Sequence, residues 1–130
     1  MSTDINNVTF VVLGEPASKA NSRKIVKFGL RLASIKSKKA RDYVDSFKRQ
    51  VQAIEPLLTG DVSVSMTIYY ATRRPDLDES LILDCMQGVI YENDRQVKEK
   101  HIYHALDKEN PRTEIMVAVQ QLGNGLSGPR

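Results

Sequence analysis

One cysteine is present, Cys85, so no disulfide can form within the chain. Its neighbours Leu81, Ile82 and Met86 lie on an apolar stretch, which marks it as a buried, reduced thiol rather than a nucleophile. Long apolar runs are absent: none approaches the ~20 residues that span a bilayer. The opening MSTDINN has neither a basic start nor an apolar signal core, so residence in the cytoplasm without a membrane partner is the expectation. No Gly-rich phosphate loop occurs, and no nucleotide cofactor is expected. The two histidines, His101 and His104, are three apart, which on a strand points them to opposite faces, and no further Cys or His completes a zinc set.

Charge is present in quantity and unevenly placed. The net charge is only +3, yet residues 19–49 hold eleven Lys or Arg against Asp42 and Asp45, while the rest of the chain has eight bases and fourteen acids. One region attracts a polyanion and another attracts a cation. Clustered bases neutralise phosphates and release counterions, which gives affinity that falls with salt. The candidates are Lys19, Arg23, Lys24, Lys27 and Arg31, joined by Arg73 and Arg74. Aromatic residues are scarce there, with only Phe28, Tyr43 and Phe47, so contact with a duplex backbone is expected over stacking on successive bases.

Periodicity gives the elements. A strand is read over 8–13. Residues 24–27 and 30–35 form a hairpin about Phe28 and Gly29. Ser37 caps a helix whose apolar stripe, Ala40, Tyr43, Val44, Phe47, Val51 and Ile54, runs until Pro56 stops it. VSVSMTIYYA alternates strictly, so Val62, Val64, Met66, Ile68 and Tyr70 share a face of a half-buried strand. Two more strands, over 97–106 and 113–119, are joined by the turn DKENPR. The class is α+β: a single compact domain over residues 1–120, with a mixed β-sheet and flanking helices. The Gly-rich residues 121–130 form a flexible tail.

The densest chemistry is RRPDLDESLILDCMQGVIYENDRQV, residues 73–97. Pro75 ends the preceding strand. Asp76 and Asp78, two apart in extended chain, share a side. A short helix over 79–87 follows, with Gly88 suited to the left-handed position beyond it. Asp94 returns in the next turn. Such carboxylates suit a hard cation like Mg2+, which takes oxygen ligands and keeps several waters, so two or three Asp plus a substrate phosphate complete a site. Each also has a plainer explanation. Asp78 is a good N-cap, Asp76 and Asp94 suit turns, and Asp84 continues a polar stripe with Ser80 and Gln87.

The segment RPDLD, the apolar helix and GVIYENDRQV, with the upstream LGEPASKANSR resembling a Gly-x-Pro-x-x-Lys opening, together resemble the RusA-type crossover junction endodeoxyribonucleases over residues 8–119. The resemblance implies a RusA-like domain in which Asp76, Asp78 and Asp94 are the catalytic set, holding one or two Mg2+ ions that Mn2+ can replace. It implies a homodimer that resolves four-way (Holliday) DNA junctions by paired symmetric nicks, in recombination and repair, in a bacterial or phage-infected cell. Related alternatives are a protein that binds branched DNA with little or no cleavage, and a nuclease for other branched DNA. The chain departs from the family in having Glu79 after Asp78 and no lysine on the helix. Arg73, Arg74, Lys98 and Lys100 are candidates for that charge, Glu79 and Asp84 for accessory carboxylates, and Tyr69, Val89 and Ile90 for the dimer surface.

Overall fold

The structure, a computed structural model, describes residues 2–3, 7–71 and 76–120. Its frame follows from alternation. Strand β1 (Ser2–Thr3) pairs with β2 (Asn7–Leu13), which buries Val8, Phe10 and Val12. β5 (Val62–Tyr70) buries Val62, Val64, Met66 and Ile68, and β7 (Arg112–Val119) buries Thr113, Ile115 and Val117. Every second side chain of a strand faces the same way, so these rows coincide on one face of a five-stranded sheet, ordered β1-β2-β7-β5-β6, with β6 (Val97–Leu106) at the far edge. The opposite face leaves Val11 and Met116 exposed.

Two helices roof the apolar face. α1 (Lys38–Gln50) is capped by Ser37, whose Oγ accepts from the Ala40 N–H and donates to the Asn21 carbonyl. It buries Ala40, Tyr43 and Phe47, with the Phe47 ring edge-on to Phe10 at a centroid separation of 6.2 Å. Burial raises the Tyr43 hydroxyl pKa. The apolar stripe continues past Gln50, but the helix does not: Val51 is extended, and the Ile54 N–H bonds to the Val89 carbonyl. The Gln50 side chain bonds both backbone groups of Leu13, fixing the helix end to β2. Tertiary partners have therefore replaced the last helical turn.

α2 (Glu79–Cys85) buries Leu81, Ile82, Leu83 and Cys85. It ends two residues before Gln87, and Gly88 lies beyond it at φ 78°, in the left-handed region expected of it. Fully buried Tyr91 donates its hydroxyl to the Leu83 carbonyl at 2.7 Å, satisfying an acceptor near the helix end. Burial, with Asp84 adding to it, pushes the Cys85 thiol up to about 12. Cys85 is therefore expected to resist iodoacetamide at pH 8 and to alkylate fully in denaturant, as mass spectrometry would read. Rapid native labelling would contradict its burial.

β5 runs antiparallel to β7 but parallel to β6. A parallel pair cannot be closed by a tight turn, so the chain leaves the sheet after β5, forms α2, and returns to start β6. That obligatory crossover carries Asp76, Asp78, Asp84 and Asp94. Beside it, β3 (Arg23–Phe28) and β4 (Arg31–Lys36) pair only with each other, as a two-stranded ribbon. Gly29 supplies the positive φ, 63°, at the first position of its two-residue loop. The domain is α+β with a mixed sheet and, among the described residues, two helices, neither long and apolar enough to cross a membrane. Residues 121–130, expected as a tail, lie outside the described residues.

Candidate functional site

Two segments far apart in sequence are joined at the backbone. The Lys19 N–H donates to the Asp76 carbonyl at 2.8 Å, the Asp78 N–H donates to the Ala17 carbonyl at 2.9 Å, and Ser18 bridges Leu77. The GEPASK stretch is thereby laid against the start of α2. Lys19 Nζ comes within 3.4 Å of Glu79 Oε1, so this basic group faces the acidic crossover.

Asp78 is the N-cap of α2, accepting from the Ser80 N–H through Oδ1 at 3.0 Å. The plain explanation thus holds for this residue, yet it does not exhaust it. Asp78 also lines a cavity of about 390 Å³ together with Asp84, Asp94, Ser80, Arg23 and Lys36. Three carboxylates from the crossover face two cations from the base of the ribbon. Arg23 and Lys36 are register partners across β3 and β4, so the ribbon delivers them as a pair.

Asp94 opens a short 3-10 turn, Asp94–Gln96, capped by Asn93. Gln96 is the clamp of that turn. Its Oε1 accepts from the N–H groups of Glu92 and Asn93, and its Nε2 donates to the carbonyls of Leu58 and Gly60. Gln87 ties the acids to each other, because its Oε1 accepts from the Asp94 N–H at 3.1 Å while its Nε2 donates to Asp84 Oδ1 at 2.7 Å. Gln87, two residues past the end of α2, thus holds the carboxylate of Asp84 and the backbone of Asp94.

Not every expected residue converges. Asp76 does not line the cavity; its carbonyl is engaged with Lys19. Asp84, expected only as an accessory, does line it. Glu79 turns to Lys19. Lys100 lines a neighbouring cavity of about 300 Å³ that also reaches Asp94 and Ser80, whereas exposed Lys98 lines neither. Lys24, Lys27 and Arg31 stand exposed on the ribbon. Arg73 and Arg74 lie outside the described residues. Of the three dimer candidates, Val89 and Ile90 are core residues, because the chain after α2 folds back under the helix, and the Arg112 guanidinium covers Tyr69, 3.8 Å above its ring. They do not form an open apolar surface.

Sequence reasoning missed Lys36. Its Nζ lies 3.2 Å from Asp84 Oδ2, which brings a lysine onto α2 from another element. Nothing local in the sequence marks it; only the ribbon's position beside the crossover makes the contact. On its far side a second cavity of about 440 Å³ follows α1, where Lys38, Arg41 and Lys48 are interspersed with Asp42, Asp45 and Asp84, so its lining is of mixed charge.

Among the described residues no three His, Cys, Asp or Glu side chains are close enough to form a ready metal cluster. The donor set nonetheless fits a hard cation. It is all oxygen, and the cavity has room for several waters at ~30 Å³ each. Mg2+ characteristically uses one or two carboxylates, waters and substrate phosphate rather than a closed protein cage. The set does not suit zinc, which prefers Cys and His.

No curated protein matches the chain. The model of the family Endodeoxyribonuclease RusA matches residues 14–118.

Proposed function

The chain belongs to the endodeoxyribonuclease RusA family, and on that premise we propose that it is a Mg2+-dependent nuclease that resolves four-way DNA junctions by paired nicks, in recombination and repair. The observation that carries this reading is the shared cavity in which Asp78, Asp84 and Asp94 oppose Arg23 and Lys36. Carboxylates alone would repel a phosphodiester, and cations alone would bind it without cutting. Their juxtaposition suits hydrolysis.

In this reading Asp78 and Asp94, with Asp84 beside them and Asp76 at the mouth of the crossover, hold the cation, and Mn2+ serves in its place. When bound, such an ion polarises the phosphodiester and makes water a better nucleophile. Arg23, whose Nε and Nη2 donate to the hydroxyl and carbonyl of Ser34, offers its remaining N–H groups to the DNA backbone. Gln87 keeps Asp84 and Asp94 in fixed relation. Lys36 neutralises charge as it grows on the phosphate, the kind of interaction that is stronger in the transition state than in the bound substrate. The bases of α1 and the ribbon hold the flanking duplex. Resolution of a junction needs two opposed nicks, which a twofold homodimer with one cleft per copy would make. The setting is the cytoplasm of a bacterial or phage-infected cell.

Lys36→Met is expected to slow single-turnover cleavage by on the order of 10²-fold, with junction affinity changed by less than about threefold, as one phosphate contact among many. An unchanged rate would remove Lys36 from the reaction. The function itself is tested with a mobile four-way junction, a flap and a linear duplex of shared sequence, each with Mg2+ or EDTA, resolved on denaturing gels. Symmetric Mg2+-dependent nicks in the junction alone are expected. Tight junction binding with no cleavage under any divalent metal would make the protein a binder, and equal cutting of flap or duplex would remove the junction preference.

A further inference from the structure

The β3–β4 ribbon has a surface that the nuclease reading does not explain. In its register, Arg23 and Lys36, Ile25 and Ser34, and Lys27 and Leu32 are opposite pairs, so all six share one face. The first pair lines the acidic cavity, and the face runs outward from it. Large apolar side chains stand in solvent along this face, where Ile25 is 66% and Leu32 71% exposed, and at the tip, where Leu30 in the loop is 100% exposed and Phe28, paired with Arg31 on the opposite face, is 61% exposed. Grouped exposure of this kind marks a contact surface. The occupant is indicated by charge. Arg23, Lys24, Lys27, Arg31 and Lys36 lie on the ribbon, and residues 23–36 contain no acid. A second copy seated ribbon on ribbon would bring like charges together, which opposes that contact.

A linear duplex offers phosphates to these cations but no partner for Phe28 and Leu30, because its base-pair faces are stacked. A branch point does offer one, since stacking is interrupted there and base-pair faces open at lower cost. A two-stranded ribbon also has the width to enter a groove. Building on the proposed nuclease function, we propose that the ribbon reads the branch: its cations grip the arms while Phe28 and Leu30 pack as a wedge on base pairs unstacked at the crossover point, setting the distance from the branch to the acidic cleft. The partner is thus branched DNA, and the wedge is the source of preference for it.

The test compares the parent chain with the double variant Phe28→Ser, Leu30→Ser. Both side chains are solvated, so the variant is expected to fold unchanged. Binding is measured in Ca2+ to a fixed four-way junction carrying 2-aminopurine beside the branch, and to a linear duplex of one arm. The variant is expected to lose about tenfold or more in junction affinity, keep duplex affinity within about twofold, and fail to raise the 2-aminopurine fluorescence that the parent raises. An equal loss on both DNAs would mean the residues are general contacts and overturn the wedge, as would unaltered junction binding. A shift from dimer to monomer in light scattering would reassign the ribbon to a second copy. If the parent itself does not distinguish junction from duplex, the nuclease reading fails first and the wedge with it.

Discussion

Asp78→Asn is expected to lower junction cleavage by on the order of 10²-fold or more, through loss of a charged ligand, without a measurable change in melting temperature. This residue has two roles. Its Oδ1 caps α2 through the Ser80 N–H, and the side chain also lines the cavity with Asp84 and Asp94. Asn caps a helix about as well as Asp, so this substitution removes the charge and keeps the cap. Asp78→Ala removes both, and should add a destabilisation of about 1 kcal/mol, or roughly 3–5 °C for a chain of this size. Cleavage assays and thermal melts on the two variants separate the roles. If Asp78 were a cap and nothing more, the Asn variant would cut like the parent and only the Ala variant would suffer.

Gln96→Ala is expected to be the most destabilising single change near the site. Gln96 makes four hydrogen bonds to backbone, two to N–H groups of the Asp94 turn and two to the carbonyls of Leu58 and Gly60. At about 0.5–1.5 kcal/mol net for each, with some regained from water, a loss of about 2–4 kcal/mol follows. A urea titration should show a lower midpoint with an unchanged slope. Cleavage should fall too, because Asp94 is carried on the turn that Gln96 clamps. Gln96→Glu keeps acceptors for Glu92 and Asn93 but loses the donors to Leu58 and Gly60, so it should fall between parent and Ala. Full stability in the Ala variant would mean that the turn holds itself.

The sheet was legible because a strand's period of two is written directly in Val62, Val64, Met66 and Ile68, and because Ser37 and Gly29 are residues whose local chemistry fixes a cap and a turn. The end of α1 was not, since the stripe of Val51 and Ile54 is equally at home in extended chain bonded to Val89. In the site, proximity in sequence found the carboxylates but not their arrangement: no short window shows that Gln87 joins the Asp84 carboxylate to the backbone of Asp94. Lys36 was invisible for a different reason. Its contact with Asp84 depends on where a ribbon rests against a parallel crossover, and no short window of sequence contains both. Val89 and Ile90 read as a surface patch only until the chain after α2 is seen to fold inward.

In the proposed function DNA is cut at the acidic cleft of the crossover. Asp94→Asn tests it most directly, since Asp94 is exposed at the cleft and the substitution leaves its backbone bond to Gln87 in place. The measurement is the single-turnover nicking rate of a mobile four-way junction in Mg2+, at protein concentrations that bind parent and variant to equal occupancy. A rate reduced by on the order of 10²-fold or more at unchanged junction affinity is expected. Nicking at the parental rate would place the chemistry elsewhere in the chain.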